Sequence, residues 1–206
     1  MPKQKKILLP VVFMVLVTMV FTFGLAFINE VTKDTIAEQE ALNIYKSILY
    51  VFDIDHQDKS DEQVKDLFDT YITITEEKDT TYYTYIKDQE TIGYAVLISG
   101  KGLWGTITGH IAFSPDHSQV LGVNFIAHSE TPGLGGRIDE DNYKDDFRGI
   151  EINLSDDIFV NNKATGGNVD AISGATLTSK AVIDIYNTHL PTILEQAKKE
   201  GYYEAD

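Results

Sequence analysis

Hydrophobic and polar positions change their rhythm several times along the chain. From Ile7 to Ile28 no charge interrupts the apolar run, and as a helix at ~1.5 Å per residue it covers about 33 Å, against a bilayer core of about 30 Å. Beyond it, Ile36, Ala41, Ile44, Tyr45, Ile48, Leu49 and Phe52 recur at spacings of three and four, which predicts that the helix continues. The acidic stretch Asp53–Gln63 reads as a loop into a short helix near Val64–Phe68. Stretches rich in β-branched and aromatic residues then predict two hairpins. The first pairs residues 81–88 with 91–99 around Asp88, Gln89 and Glu90, and the second pairs 106–114 with 119–128 around Pro115, Asp116 and His117. A short helix is expected at Asn142–Phe147 and a loop over residues 161–170. The last helix is expected from near Ser179, burying Ala181, Val182, Ile185 and Tyr186, with Pro191 kinking or restarting it. The elements predict an α+β fold, an antiparallel sheet with packed helices, preceded by one N-terminal transmembrane helix. The expected divisions are residues 1–6, 7–28 (the span), 29–75 (a helical connector) and 76–206 (the globular domain).

The span has no polar face, which argues against a core helix, and residues 26–30 show no small-residue cleavage site of the kind that ends a signal peptide. It is therefore read as a retained anchor. Lys3, Lys5 and Lys6 precede it and only Lys33 follows closely, so the positive-inside bias holds the amino terminus in the cytoplasm and the domain outside. The expected location is the cytoplasmic (inner) membrane, single-pass, with Ile7 to Ile28 in the lipid bilayer.

Charge narrows the partners. Seventeen basic against 32 acidic residues leave a formal net charge of −15, and with three of the lysines ahead of the span the external part is more acidic still. Such a surface repels nucleic acid, which is excluded as a partner. The absence of cysteine rules out disulfides and thiolate-held metal or iron–sulfur sites within the chain.

Three stretches carry candidate chemistry. "DAISGATLTS", Asp170–Ser179, crowds hydroxyl and small side chains ahead of a helix. Thr178 or Ser179 is placed to cap that helix, and Gly174 and Ala175 let backbone approach a ligand, so the stretch reads as either an ordinary capped turn or a phosphate-binding helix start. It lacks the lysine of a P-loop and the glycine frame of a hydrolase elbow. No base is adjacent in sequence, although a distant His110 or His128 could fold in. "HSETPGLGGR", His128–Arg137, is first a turn; position 138 is Ile where a dinucleotide fingerprint needs glycine. His128 and Glu130 have no second pair at ligand spacing, so no metal site is expected. "GKGLWG", Gly100–Gly105, holds the only tryptophan, Trp104, readable as a core residue at a tight corner or as a flat wall beside a flat ligand.

In this order, "GLWG", "ETPGLG" and "DAISGATLTS" behind one amino-terminal membrane helix resemble the FMN-binding domain of flavoprotein redox-pump subunits. These include the G subunit of Rnf-type ferredoxin:NAD oxidoreductases and the C subunit of sodium-translocating NADH:quinone oxidoreductases. The resemblance implies FMN joined through its phosphate to a threonine hydroxyl closing a Ser/Thr-Gly-Ala-Thr tetrad. Ser173, Gly174, Ala175 and Thr176 fill it, making Thr176 the acceptor, followed by Leu177 and Thr178. Asp170 matches the acidic position opening the motif read by a separate flavin transferase. Glu130, Thr131, Gly133 and Leu134 match a loop near the isoalloxazine ring, with Trp104 beside it.

The expectation is therefore an electron-carrying Rnf-type subunit of a membrane translocase, with covalent FMN, no catalytic residues of its own, and other membrane subunits as partners. The alternatives are the quinone-reducing relative, an anchored FMN domain serving a different extracytoplasmic reductase or a sensor, and an anchored scaffold without cofactor.

Overall fold

The computed structural model describes residues 3–78 and 80–204, with the side chains of residues 3–7 left out of account. Met1 and Pro2 of the expected cytoplasmic segment, the Ile7 side chain, and the last two residues of the expected domain lie outside the described part. The chain divides into two compact units, Met1–Ala41 and Leu42–Asp206.

Helix α1 is one element over Lys3–Val51. Its apolar part has a mean hydropathy of 2.7 and none of it is buried, so among the described residues this helix is long and apolar enough to cross a bilayer.

The second unit is built around a five-stranded antiparallel meander in the order β1-β2-β3-β4-β5: β1 (Ile72–Glu77), β2 (Thr80–Lys87), β3 (Glu90–Lys101), β4 (Thr106–Phe113) and β5 (Val120–Ala127). Both expected hairpins are present. Asp88 and Gln89 turn the first with φ of 53° and 70°, the two positive values that a tight two-residue hairpin loop requires. Strand β1 is a departure, because it begins inside the stretch expected to be a helical connector (29–75). It follows α2 (Asp61–Tyr71) with no intervening turn residue, so the sequence carries no punctuation where the period changes from helix to strand. Helix α2 also starts earlier than expected, because Ser60 and Gln63 form a reciprocal capping box.

Alternation along the strands feeds two cores. One face presents Tyr82, Tyr94, Val96, Ile98, Ile111 and Phe113 to the last helix, α4 (Thr176–Glu200), which buries Val182, Ile183, Ile185, Tyr186, Leu190 and Leu194 there. The opposite face presents Tyr83, Tyr85, Ala95 and Ala112 to Ile48, Val51 and Phe52 at the end of α1 and to Phe68 of α2. The sheet is thus covered on both sides within one unit, as the α+β expectation requires. Between β5 and α4 lie a 3₁₀ turn over Gly135–Asp139, the short α3 (Asp141–Asp145), which answers the helix expected there, and a 3₁₀ turn over Lys163–Thr165 inside the expected loop. Helix α4 starts at Thr176, three residues before the expected Ser179, and Pro191 lies within it without restarting it.

Arg148 closes the end of α1. Its Nη2 donates to the Tyr50 carbonyl at 2.7 Å, and its Nη1 donates to the carbonyls of Leu121 at 2.8 Å and Val51 at 3.3 Å. Two of these carbonyls belong to the last turn of α1, and the Tyr50 carbonyl also accepts from the Asp53 amide at 3.0 Å. Gly122 makes the room, since a Cβ there would sit 2.6 Å from both Nη1 and the Val51 oxygen. Arg148→Met keeps the aliphatic stem and removes the donors to all three carbonyls, of which Tyr50 keeps the Asp53 amide, so it is expected to cost about 2 kcal/mol. For a domain of this size that lowers Tm by roughly 4–8 °C, read by thermal unfolding of the detergent-purified chain. An unchanged Tm would show that water caps α1 equally well.

Candidate functional site

Thr176 is the first residue of α4 and is exposed. Ahead of it, Gly174 adopts φ +79°, a left-handed conformation suited to glycine. Ala175 occupies the N-cap position, with φ −132° and ψ 38° and no side-chain cap bond. The expected caps are elsewhere. Thr178 is buried and its hydroxyl donates to Glu130 Oε2 at 2.6 Å. Ser179 is also buried; its Oγ accepts from the Ile172 amide at 2.9 Å and donates to the Ala175 carbonyl at 3.3 Å. The reading of Thr178 or Ser179 as N-cap is therefore corrected. Both sit one turn too far along, and tertiary partners occupy their hydroxyls. What results is a 25-residue helix whose first amides have no side-chain acceptor, the arrangement that suits a phosphate.

Glu130 gathers the other stretches. It is only 4% exposed, and its Oε1 accepts from the amides of Leu103 at 2.9 Å and Trp104 at 3.1 Å. Around this buried carboxylate the apolar side chains turn outward: Trp104 is 69% exposed and Leu177 65%, with Leu103 and Leu134 about half exposed. Trp104 is therefore not a core residue. A Cβ on Gly174 would lie 3.4 Å from Leu134 Cδ2, which puts the Leu134 side chain against the turn before Thr176. The Thr131 carbonyl accepts from the amides of Leu134 and Gly136, closing that loop, and Gly133 takes φ +74° within it.

Asp170 and Ser173 face another space. With Arg137, Asn142, Tyr143 and Asp146 they line a cleft of about 470 Å³. The Asp170 carboxylate accepts from the Lys163 amide at 3.2 Å, and its own amide donates to Asp146 Oδ2 at 2.9 Å. Asp146 also pairs with Lys163 Nζ at 2.5 Å. In the cleft wall, burial pushes the Tyr143 phenol well above its usual range. Arg137 and Asp146 were not among the residues singled out from the sequence. Their only local signal is that Arg137 is one of two arginines in the chain.

Among the described residues, no group of three or more His, Asp or Glu side chains is arranged to hold a metal. His128 instead spends Nδ1 on the Glu130 amide at 3.2 Å and Nε2 on Asp139 at 2.8 Å.

The family comparison falls on the segment that holds this uncapped helix start, its exposed hydroxyl and the exposed apolar side chains. Residues 102–190 match the FMN-binding domain. That domain takes in Trp104, the Glu130 loop and the whole Thr176 turn. Over 101 residues the chain is 35% identical to the G subunit of the proton-translocating ferredoxin:NAD(+) oxidoreductase complex of Clostridium ljungdahlii, covering 49% of this chain and 53% of that protein. It is 29% identical to the C subunit of the Na(+)-translocating NADH-quinone reductase of Pseudomonas aeruginosa, covering 81% of this chain and 84% of the relative. The C subunit of the Pasteurella multocida enzyme is matched over 34% of its length at 37% identity. The chain thus spans about half or less of the length of several curated relatives it matches. The fold is that of the crystallised C subunit from Parabacteroides distasonis, with a TM-score of 0.64 at 22% identity, covering 76% of this chain and 92% of that one.

Proposed function

We propose that the chain is the FMN-carrying subunit of an Rnf-type ion-translocating oxidoreductase, holding FMN by a phosphoester to Thr176 and serving as a redox relay between membrane partner subunits. The observation that carries this reading is the position of Thr176: an exposed hydroxyl at the uncapped start of α4, next to exposed Leu177, with Leu134 against the turn before it and exposed Trp104 linked to the same helix through Glu130, inside a segment matching the FMN-binding domain.

The chain's residues would divide the work. First-turn amides of α4 bind the phosphate and the helix dipole favours its charge. Ser173, Gly174 and Ala175 hold the turn and leave room for it. Trp104, Leu134 and Leu177 give the flat ring an apolar wall and exclude water from one side of it. Glu130, Thr131 and Gly133 shape the loop that carries Leu134. Bound FMN supplies the electron-transfer chemistry and the chain its position.

Thr176 Oγ is a weak nucleophile with no base hydrogen-bonded to it. A flavin transferase would therefore take its proton and supply an activated flavin nucleotide, whose leaving group departs as the Oγ–P bond forms. Asp170 and the adjoining cleft are the surface proposed for that enzyme to read. With Lys3, Lys5 and Lys6 ahead of the span, the domain lies outside the cytoplasm, where a tether keeps a shallow site filled whatever the free FMN concentration, at an effective concentration of about millimolar.

The long alignment with the Pseudomonas aeruginosa protein favours one second reading, the C subunit of a sodium-translocating quinone reductase. The intact mass of the chain from its native membrane tests what both readings share. The expected value is the chain plus one FMN less one water, whereas an unmodified mass would overturn the covalent assignment. Purification of the native complex then separates the two: ferredoxin-dependent NAD reduction supports the first reading and quinone reduction by NADH the second.

A further inference from the structure

Glu130 is a buried carboxylate with no cation among its hydrogen-bond partners. Two successive backbone amides and one hydroxyl satisfy it, and such charge-assisted bonds are stronger than neutral ones. The packing around it leaves no slack. A Cβ on Gly102 would fall 2.6 Å from Oε1, and one on Gly135 would fall 2.9 Å from Oε2 and 2.6 Å from Thr178 Oγ1. Neither glycine needs its freedom for an unusual φ; each is glycine because the carboxylate and its partner fill the space. Gly105 does the same for Ser129, whose Cβ lies 2.9 Å from where a Cβ would stand. The backbone of Glu130 is held as well. Because His128 Nδ1 accepts its amide hydrogen, Nε2 carries the ring proton and donates it to Asp139.

Three stretches far apart in sequence therefore meet at one carboxylate: the Gly102–Gly105 turn, the His128–Gly135 loop and the first turn of α4. Among the side-chain hydrogen bonds of the described residues, the Thr178 hydroxyl is what ties that carboxylate to α4.

We propose that Glu130 is the positioning residue of the site, coupling the turn that carries Trp104 to the helix start that carries Thr176 through its hydrogen bond to Thr178. What the coupling is for rests on the flavin reading above, but the coupling belongs to the chain and can be measured without cofactor.

The full chain in detergent provides its own reporter, since Trp104 is the only tryptophan. In the cofactor-free protein, Thr178→Val keeps the shape and deletes the hydroxyl. Its expected result is lower Trp104 fluorescence anisotropy and faster hydrogen exchange at the Leu103 and Trp104 amides, with strand β2 unaffected. Thr178→Ser should restore the parent values. After loading by a flavin transferase, the flavin-bearing fraction of Thr178→Val should lose much of the quenching of Trp104 emission by flavin. A merely structural role would move melting temperature alone and leave these local signals in proportion to it.

If Thr178→Val folds with parental anisotropy and exchange, the coupling is wrong. If it does not fold, Glu130→Gln decides by the same exchange measurement: faster exchange confined to Leu103 and Trp104 supports the proposal, and parental rates overturn it. A parent chain that never takes up flavin defeats the functional reading and leaves the cofactor-free result standing on its own.

Discussion

Thr176→Val is expected to abolish the flavin fluorescence of the denatured chain completely while leaving its fold intact. The two halves of that result have separate causes. Valine matches threonine in shape but offers no oxygen to a phosphoryl group, so no ester can form. The side chain it replaces is exposed at the first position of α4 and makes no cap bond, and exposed substitutions away from caps and cores usually change stability by less than about 0.5 kcal/mol. The measurement is in-gel fluorescence of the chain co-expressed with a flavin transferase, beside a melting curve of the same sample. Thr176→Ser keeps a hydroxyl and is expected to retain a band. A fluorescent Thr176→Val band would move the acceptor to another hydroxyl of the stretch, and Ser173 would be next, because it is exposed whereas Thr178 and Ser179 are buried.

That stretch also shows what its sequence could and could not convey. Strand character was legible because composition is a local property: the aromatic and β-branched runs at Tyr82–Lys87 and Tyr94–Ile98 need only their own neighbours to be read. The order of the sheet followed from short turns between successive strands. The start of α4 was misplaced because a hydroxyl three residues into a helix and one at its cap look alike in one dimension. Thr178 found a buried carboxylate 48 positions away, and no local rule contains that pairing. Trp104 was undecided between core and wall for a similar reason. Its amide donates to Glu130, 26 positions away, a contact that the flanking residues do not reveal. Glu130 drew notice from its spacing to His128 and from the resemblance, and neither indicated the buried position that the geometry gives it. Strand β1 was missed where a helix passes straight into a strand, leaving no Gly, Pro or Asn to mark the change.

Acid is expected to weaken the fold through His110, well above the pH at which carboxylates are neutralised. His110 lies on β4, almost fully buried, with Ser47 Oγ 2.8 Å from its Nδ1 and the Tyr83 ring packed against it edge-on at 5.5 Å between centroids. None of these partners is a carboxylate. Burial lowers its pKa to about 4 from an ordinary 6.5, because a positive charge there would lose its water and gain only a hydroxyl. Between those values the unfolded chain binds a proton that the folded chain refuses. The stability contribution is thus complete above the unfolded value and drains away as pH falls toward the folded one. The difference is worth about 3 kcal/mol, a large share of the roughly 5–15 kcal/mol that holds a typical domain together. His117, also lowered by burial, acts in the same direction. Asp116 and Asp141, lowered by hydrogen bonds from Ser114 and Lys144 respectively, lose their contributions only at more acid pH, as they protonate through their folded values. Denaturant midpoints between about pH 7.5 and pH 4.5 should therefore fall steeply in the parent chain and less steeply in His110→Gln, which retains a group able to bond with Ser47 and cannot charge. The slope decides, because the substitution can shift stability uniformly by disturbing the packing. A His110→Gln chain as acid-sensitive as the parent would assign the loss to His117 or to the carboxylates instead.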